Sequence, residues 1–194
     1  MIGEDLGSVP EGFRERLRKA GALSYRVLRF ERDAAGFTPP GAWPRPAMAC
    51  VSTHDLPPVA GWWDGADIDE RLRLGLMTAG EAEAARAVRA DDRRALLDAL
   101  ARENLAPGST DADGPLTTAL AAAIHAFIAA SAAVLAVAQV EDLAGERTAV
   151  NLPGTDRERP NWRRRIAAPL ETVFETPLAE AIVEAMKAGR SVRP

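Results

Sequence analysis

The chain has 194 residues, a length that suits one domain with a real hydrophobic core. Apolar residues make up 47%, which excludes a disordered chain, and the net charge of −4 excludes a global field favouring nucleic acid or anionic membranes. Cys50 is the one cysteine, so an internal disulfide is impossible and a reducing, cytoplasmic location is expected.

The first third of the chain alternates predicted strands and helices. It opens on what reads as the end of a strand, and Ser8-Val9-Pro10-Glu11 then has the spacing of a capping box at a helix start. Strands are predicted over residues 24–31 and 48–53, because both stretches are rich in strand formers or apolar residues. Between them, residues 34–46 carry four prolines and two glycines, which predicts an ordered loop.

The rest of the chain is mainly helical in its pattern. Helices are predicted over 67–77, 81–103, about 115–130 and 176 to about 189, with a strand over 133–140. Thr78 and Glu81 have capping-box spacing at the start of the second of these helices. The apolar stretch 119–140 is half alanine and contains three polar residues, so it favours a buried helix and strand over a membrane anchor.

This alternation is typical of an α/β fold with parallel strands. Each predicted strand ends in polar or charged residues, namely Glu4-Asp5, Glu31 to Asp33, His54-Asp55 and Gln139 to Asp142. In a (β/α)₈ barrel the chemistry collects at the carboxyl ends of the strands, and four strands are half of such a barrel. We therefore expect residues 1–194 to form a single partial (β/α)₈ segment.

Five sequence blocks carry a resemblance to a known family. They are GEDLG at 3–7, YRVLRFER at 25–32, VSTHDLPPVAGWW at 51–63, VAQVEDL at 137–143 and NLPGTDRERPNWRRR at 151–165. Together, and in this order, they resemble the 4-alpha-glucanotransferases, also called amylomaltases or disproportionating enzymes, of glycoside hydrolase family 77. The resemblance implies the carboxyl-terminal half of a (β/α)₈ barrel, with about strands 5 to 8.

The resemblance also implies an activity and a set of site residues. Enzymes of this family transfer segments of α-1,4-glucan between maltodextrins by a retaining double displacement, which needs two carboxyl groups about 5–5.5 Å apart. Glu4 matches the general acid/base, and Asp55 matches the aspartate that stabilises the transition state. His54 matches a sugar-binding histidine, and Asp33 and Asn151 fall where the family places substrate contacts.

Two departures from the family pattern affect this reading. Pro58 replaces a threonine, which alters a loop without removing a catalytic group. The family's nucleophilic aspartate lies in an R-x-D segment before the GEDLG block, and no such segment is present there. The string Arg89-Ala90-Asp91 follows Glu4 and falls in a charged helix, so we reject it. We expect this chain to be inactive alone.

Simpler alternatives remain open for several of these residues. Glu4 and Asp5 can be acids that favour a helix N-terminus, and His54-Asp55 can be a structural pair. Trp62-Trp63 can stack on sugar rings or fill the core. His125 is expected to be an ordinary surface histidine. The cluster Arg157, Arg159, Arg163, Arg164 and Arg165 is expected to be a solvated loop and helix start, since no nucleic-acid motif accompanies it.

The alternative function is a non-catalytic half-barrel that serves as an assembly or glucan-binding module. A half-barrel has two open strand edges, so we expect a partner, either the missing amino-terminal half or a second copy of the chain. We expect α-1,4-glucans as ligands and no nucleic acid or membrane partner. No organic cofactor is indicated, and two distant histidines with one cysteine suggest no metal site.

Overall fold

The computed structural model describes residues 1–108 and 110–191. The strands are β1 (Ser24–Val27), β2 (Arg32–Asp33), β3 (Gly36–Phe37), β4 (Ala47–Cys50) and β5 (Leu135–Val137). The α-helices are α1 (Phe13–Lys19), α2 (Val59–Asp64), α3 (Ala66–Arg73), α4 (Ala79–Arg102), α5 (Thr118–Ala129), α6 (Val140–Leu143) and α7 (Pro177–Ser191).

A parallel sheet organises the molecule. Strands β1, β4 and β5 pair in that order, both pairs being parallel. Ile2 forms a parallel bridge to Leu23, and the Gly3 amide donates to the Leu23 carbonyl at 2.8 Å, so the first residues extend the sheet beyond β1. The predicted α/β fold with parallel strands is confirmed, and polar residues leave one common end of the sheet.

The two faces of the sheet have different surroundings. Ala47 and Ala49 of β4 point into the main hydrophobic core, which α5 covers. The register places the alternate residues on the opposite face, in two rows. We call this the open face after its exposed end at β5; it consists of Tyr25, Met48 and Leu135 in one row and Val27, Cys50 and Val137 in the other, and Val27, Met48 and Cys50 in it are buried.

The open face is uncovered where β5 ends the sheet. Leu135 is 43% exposed and Val137 is 40% exposed, although both are large apolar side chains on a strand. Parallel sheets are normally covered on both faces, because their strands carry apolar residues on both sides. An apolar strand with one solvent-exposed face therefore indicates a surface that another polypeptide can cover.

Two helices that the sequence predicted supply a large part of the core. In α5, every residue from Leu120 to Ala129 is buried, because the helix lies between the sheet and α7. The stripe on α4 contributes buried Leu96 and Leu100. The predicted capping box at its start is present, since the Glu81 amide donates to Thr78 Oγ1 at 3.3 Å and Glu81 Oε2 accepts from the Thr78 amide at 2.7 Å.

Several local predictions were wrong. Strand β1 ends at Val27 because a 3₁₀ turn follows over Leu28–Phe30. The capping box predicted around Ser8 is absent, and α1 begins after Gly12 without a side-chain cap. Helix α2 was missed, as was the small β2–β3 hairpin at the edge of the Pro-rich loop.

The apolar stretch 119–140 forms α5 and β5, as expected. Among the helices within residues 1–108 and 110–191, none is long and apolar enough to cross a bilayer.

Candidate active site

The segment that leaves β4 carries His54 and Asp55. Residues Val51, Ser52 and Thr53 are buried, and the chain then turns, with the Asp55 amide donating to Thr53 Oγ1 at 3.2 Å. The side chains of His54 and Asp55 are partly exposed just beyond this turn. A buried stem therefore presents an imidazole and a carboxylate to solvent at the carboxyl end of the sheet.

Asn151 joins this pair from a loop 96 residues further along the chain. Its side-chain Nδ2 donates to Asp55 Oδ1 at 2.7 Å, and its backbone amide donates to the His54 carbonyl at 3.1 Å. His54 Nε2 lies 3.4 Å from the same Asp55 oxygen. The structure thus brings three of the five predicted site residues together, and the amide donor orients the carboxylate.

Arg29 anchors the segment that carries His54 and Asp55. Its Nη2 donates to Ser52 Oγ at 2.8 Å and to the Pro57 carbonyl, and Ser52 Oγ donates to Pro57 O at 2.8 Å. Burial lowers the pKa of Arg29 to about 10, although the charge of Asp142 opposes this shift. The guanidinium is still charged at neutral pH, so it ties both ends of the His54–Asp55 turn together.

Asp142 and His125 form a buried pair beneath this region, and both side chains are 0% exposed. Asp142 Oδ1 accepts from the Val59 amide at 2.7 Å, at the start of α2, and Oδ2 lies 3.4 Å from His125 Nε2. The other ring nitrogen, Nδ1, lies 2.8 Å from the Ala121 carbonyl. The expectation that His125 is a surface histidine was wrong, because α5 is buried all round.

Glu4 follows a segment that runs parallel to β4, with β1 between them, and the Ile2–Leu23 bridge sets it beside the first residues of β1. Its side chain is exposed, and its charge adds to the burial that raises the pKa of Tyr25. Its neighbour Asp5 is buried instead, accepting from Arg14 Nε at 3.0 Å and from the Tyr25 amide at 2.8 Å. Of the two adjacent acids, Asp5 is buried and hydrogen-bonded, and Glu4 is exposed to solvent.

Asp33 lies outside the cluster in the residues the structure describes. It is exposed in the β2–β3 hairpin, and its Oδ1 accepts from the Ala35 amide at 2.7 Å, which closes the turn. The structure therefore shows a local role for this carboxylate. Its predicted contact with substrate stays a prediction.

Burial also sets the state of the open-face side chains. It raises the pKa of the Cys50 thiol to about 12, and it raises the pKa of Tyr25 as well. Both groups are neutral at pH 7, so neither is an activated nucleophile or base. Within the described part of the chain, no three His, Cys, Asp or Glu side chains are grouped to hold a metal ion.

A cleft of about 590 Å³ opens beside the cluster, in the loop that carries Asn151. Its lining consists of Asn151, Thr155, Asp156, Arg157, Arg159, Pro160, Asn161, Trp162 and Arg163. The Trp162 ring lies 5.2 Å from the His54 ring, between centroids. Sequence reasoning missed Trp162 and considered Trp62-Trp63, which are buried in the core; the position of Trp162 inside the NLPGTDRERPNW block was the available signal.

The arginines of this loop are not all solvated, contrary to the sequence-based expectation. Arg159 is buried, and it donates to Glu70 Oε1 at 3.0 Å, to Asn161 Oδ1 at 2.6 Å and to the Ala149 carbonyl. No helix starts at residues 163–165. The buried guanidinium serves as an internal anchor that shapes the cleft.

Comparisons with known proteins show the family of the chain. The sequence profile described as 4-alpha-glucanotransferase matches residues 1–171. The chain is 32% identical to a 4-alpha-glucanotransferase of Haemophilus influenzae, over 99% of this chain and 28% of that protein. It is 33% identical to one of Mycobacterium tuberculosis, over 97% of this chain and 27% of that protein.

Solved structures give the same picture. The crystal structure of amylomaltase from Corynebacterium glutamicum matches with a TM-score of 0.85 and 30% identity, over 95% of this chain and 28% of that one. Amylomaltase from Streptococcus agalactiae in complex with acarbose matches with a TM-score of 0.60 at 16% identity, over 97% of this chain and 31% of that one, which supports the fold alone. The chain therefore spans about 28% of the relatives it matches, and it belongs to the 4-alpha-glucanotransferase family of glycoside hydrolase family 77, the amylomaltases.

Proposed function

We propose that this chain supplies the acid/base and the transition-state stabiliser of a cytoplasmic 4-alpha-glucanotransferase that transfers α-1,4-glucan segments between maltodextrins. The observation that carries the proposal is the cluster of His54, Asp55 and Asn151 at the carboxyl end of a parallel sheet, and the segment before Glu4 runs parallel to these strands. The sheet order fits about strands 5 to 8 of a (β/α)₈ barrel, in which this end forms the active-site mouth.

The proposed mechanism is a retaining double displacement. Glu4 protonates the glycosidic oxygen of the donor glucan and later takes a proton from the acceptor hydroxyl. Asp55, oriented by the Asn151 amide, stabilises positive charge on the oxocarbenium-like sugar. His54 donates to a sugar hydroxyl. Asp33 adds a substrate contact from the hairpin.

The nucleophile in this proposal comes from a part of the enzyme outside these 194 residues. No aspartate of the chain occupies the family's R-x-D position before Glu4, and the relatives are far longer than this chain. The rest of the barrel would cover the open face, where Leu135 and Val137 are exposed. We propose that polypeptide as the partner of this chain in the whole protein. When the chain is isolated, a second copy of it takes the place of that partner.

Incubation with maltotriose tests the proposal, with glucose and longer maltodextrins as the products measured. The 194 residues alone are expected to give no turnover, and addition of the remaining polypeptide is expected to restore it. Glu4→Gln in the restored complex should abolish transfer, whereas Glu83→Gln, an exposed acid on α4, should leave it unchanged. Turnover by the isolated chain contradicts the missing nucleophile.

The exposed apolar face also favours the second candidate, a non-catalytic assembly or glucan-binding module. Acarbose, which the Streptococcus agalactiae amylomaltase holds in its solved structure, is a suitable binding probe for both readings. A complex that forms with the remaining polypeptide and binds acarbose, yet gives no transfer from maltotriose, supports the module and excludes the enzyme.

A further inference from the structure

The geometry of the cleft assigns a further binding residue: we propose that Trp162 is a stacking platform for one glucose ring of a glucan chain, next to the His54–Asp55–Asn151 cluster. This inference rests on the proposed function, because it assumes that the cluster meets a glucan. It adds a subsite on the loop side of the cluster, at a residue of the NLPGTDRERPNW block to which the family resemblance gave no role.

Exposure distinguishes Trp162 from the other tryptophans. Its side chain is 61% exposed, whereas Trp43, Trp62 and Trp63 are buried. An exposed indole keeps a large apolar surface in contact with water. A ligand that stacks on the ring removes this surface from water, which favours binding. The exposed ring lies at the wall of the cleft, so a ligand that enters the cleft reaches it.

The backbone holds this ring in an unusual position. Trp162 has a φ of 60°, in the left-handed region that a bulky side chain rarely adopts. Its amide donates to the Val150 carbonyl at 3.1 Å. Asn161 next to it donates to Thr155 O at 3.0 Å and accepts from the Leu152 amide at 3.1 Å. These hydrogen bonds hold the turn in one conformation. They offset the backbone strain at Trp162 and fix the direction in which its side chain leaves the backbone.

The surroundings match the chemistry of a sugar ring. A pyranose presents an apolar C–H face, which an indole can cover, and a rim of hydroxyls, which charged groups can bind. Beside Trp162 the cleft supplies Asp156, Arg157 and Arg163 as polar groups at its lining. The indole also contacts the His54 ring, tilted by 43°, so a sugar stacked there is adjacent to the imidazole and to Asp55.

Two measurements on the 194-residue chain test the assignment, with maltoheptaose as the probe. Iodide quenching of tryptophan fluorescence reports mainly on Trp162, because the other three indoles are buried. Maltoheptaose is expected to reduce this quenching. Calorimetry then compares variants: Trp162→Ala should raise the Kd about tenfold, and Trp162→Phe, which keeps an aromatic face, should raise it less.

Phe174→Ala is the matched control, since it removes an exposed aromatic side chain outside the cleft lining. Its Kd should equal that of the unaltered chain, and circular dichroism checks that each variant is folded. If the chain binds maltoheptaose while Trp162→Ala binds equally well, or while the quenching is unchanged, the stacking role is overturned and the proposed function stands. If the unaltered chain binds no maltoheptaose, glucan binding by this chain is overturned, and the Trp162 subsite with it.

Discussion

Asp142 shows how one buried carboxylate supports the candidate site without reaching solvent. Its two oxygens serve different elements, since Oδ1 accepts from the Val59 amide and Oδ2 faces His125. The Val59 amide begins α2, directly after the segment that carries His54 and Asp55. The position of the proposed catalytic aspartate therefore depends on a residue of α6, which lies on the far side of β5 in the sequence.

Asp142→Ala is expected to lower the free energy of unfolding by about 2 kcal/mol, because it leaves the buried Val59 amide without its acceptor. Asp142→Asn keeps an oxygen for the Val59 amide and should cost less. Urea unfolding measures both. Asp98→Ala, at a position on α4 without a side-chain hydrogen bond among the described residues, is the control and should change little. Equal losses for Asp142→Ala and Asp98→Ala would contradict the role given to Asp142.

Single residues were predictable where a motif fixed their surroundings. His54, Asp55 and Asn151 could be grouped because all three belong to blocks that resemble one family, and the structure places them together. His125 could not be placed, because the period of α5 suggested a polar face while tertiary packing buries every side of the helix. Trp162 was missed for a similar reason: its exposure depends on a left-handed turn that composition does not reveal.

Among the elements, the long helices were predictable and the short ones were not. Helix α4 has 24 residues, an apolar stripe and a capping box, so local signals agree along its length. Helix α2 has six residues and follows Pro57-Pro58, which reads as a break. Its start is stabilised by Asp142 from another element, and no local pattern could indicate that contact.

Helix α2 also packs closely against the loop after α6. A Cβ atom placed on Gly61 would lie 1.8 Å from the Arg147 carbonyl oxygen, and the contact is with backbone, which cannot swing aside. Gly61→Ala is therefore expected to lower the free energy of unfolding by about 3 kcal/mol. Thermal unfolding followed by circular dichroism measures the change.

Gly80→Ala is the matched substitution on another helix. Gly80 lies in the first turn of α4, and nothing lies within 4 Å of a Cβ placed there. Because alanine restricts the unfolded chain and favours the helix, this variant should be more stable by about 0.5–1 kcal/mol. The two glycine-to-alanine substitutions are thus predicted to change the free energy of unfolding in opposite directions. A Gly61→Ala variant that is as stable as the unaltered chain would show that α2 does not approach residue 147 this closely.

For the whole molecule, the parallel order of the strands was predictable because helices and strands alternate along the chain. The open face was predictable only in outline. Its two rows depend on the register that pairs Met48 with Leu135 and Cys50 with Val137, and register is fixed by packing between distant segments. The exposure of Leu135 and Val137 then follows from β5 lying at the end of the three-stranded sheet.

Self-association of the isolated chain is the expected consequence of this face. Two exposed apolar side chains on an edge strand favour pairing with another chain, because burial removes apolar surface from water and satisfies unpaired backbone groups. Sedimentation velocity over a range of concentrations should show a sedimentation coefficient that rises with concentration. Val137→Glu places a charge on the open face and should keep the chain monomeric, whereas Val88→Glu, at an exposed valine on α4, should associate like the unaltered chain. A compact monomer at every concentration, with one cooperative unfolding transition, would mean that the open face needs no cover and would remove the physical reason for a partner.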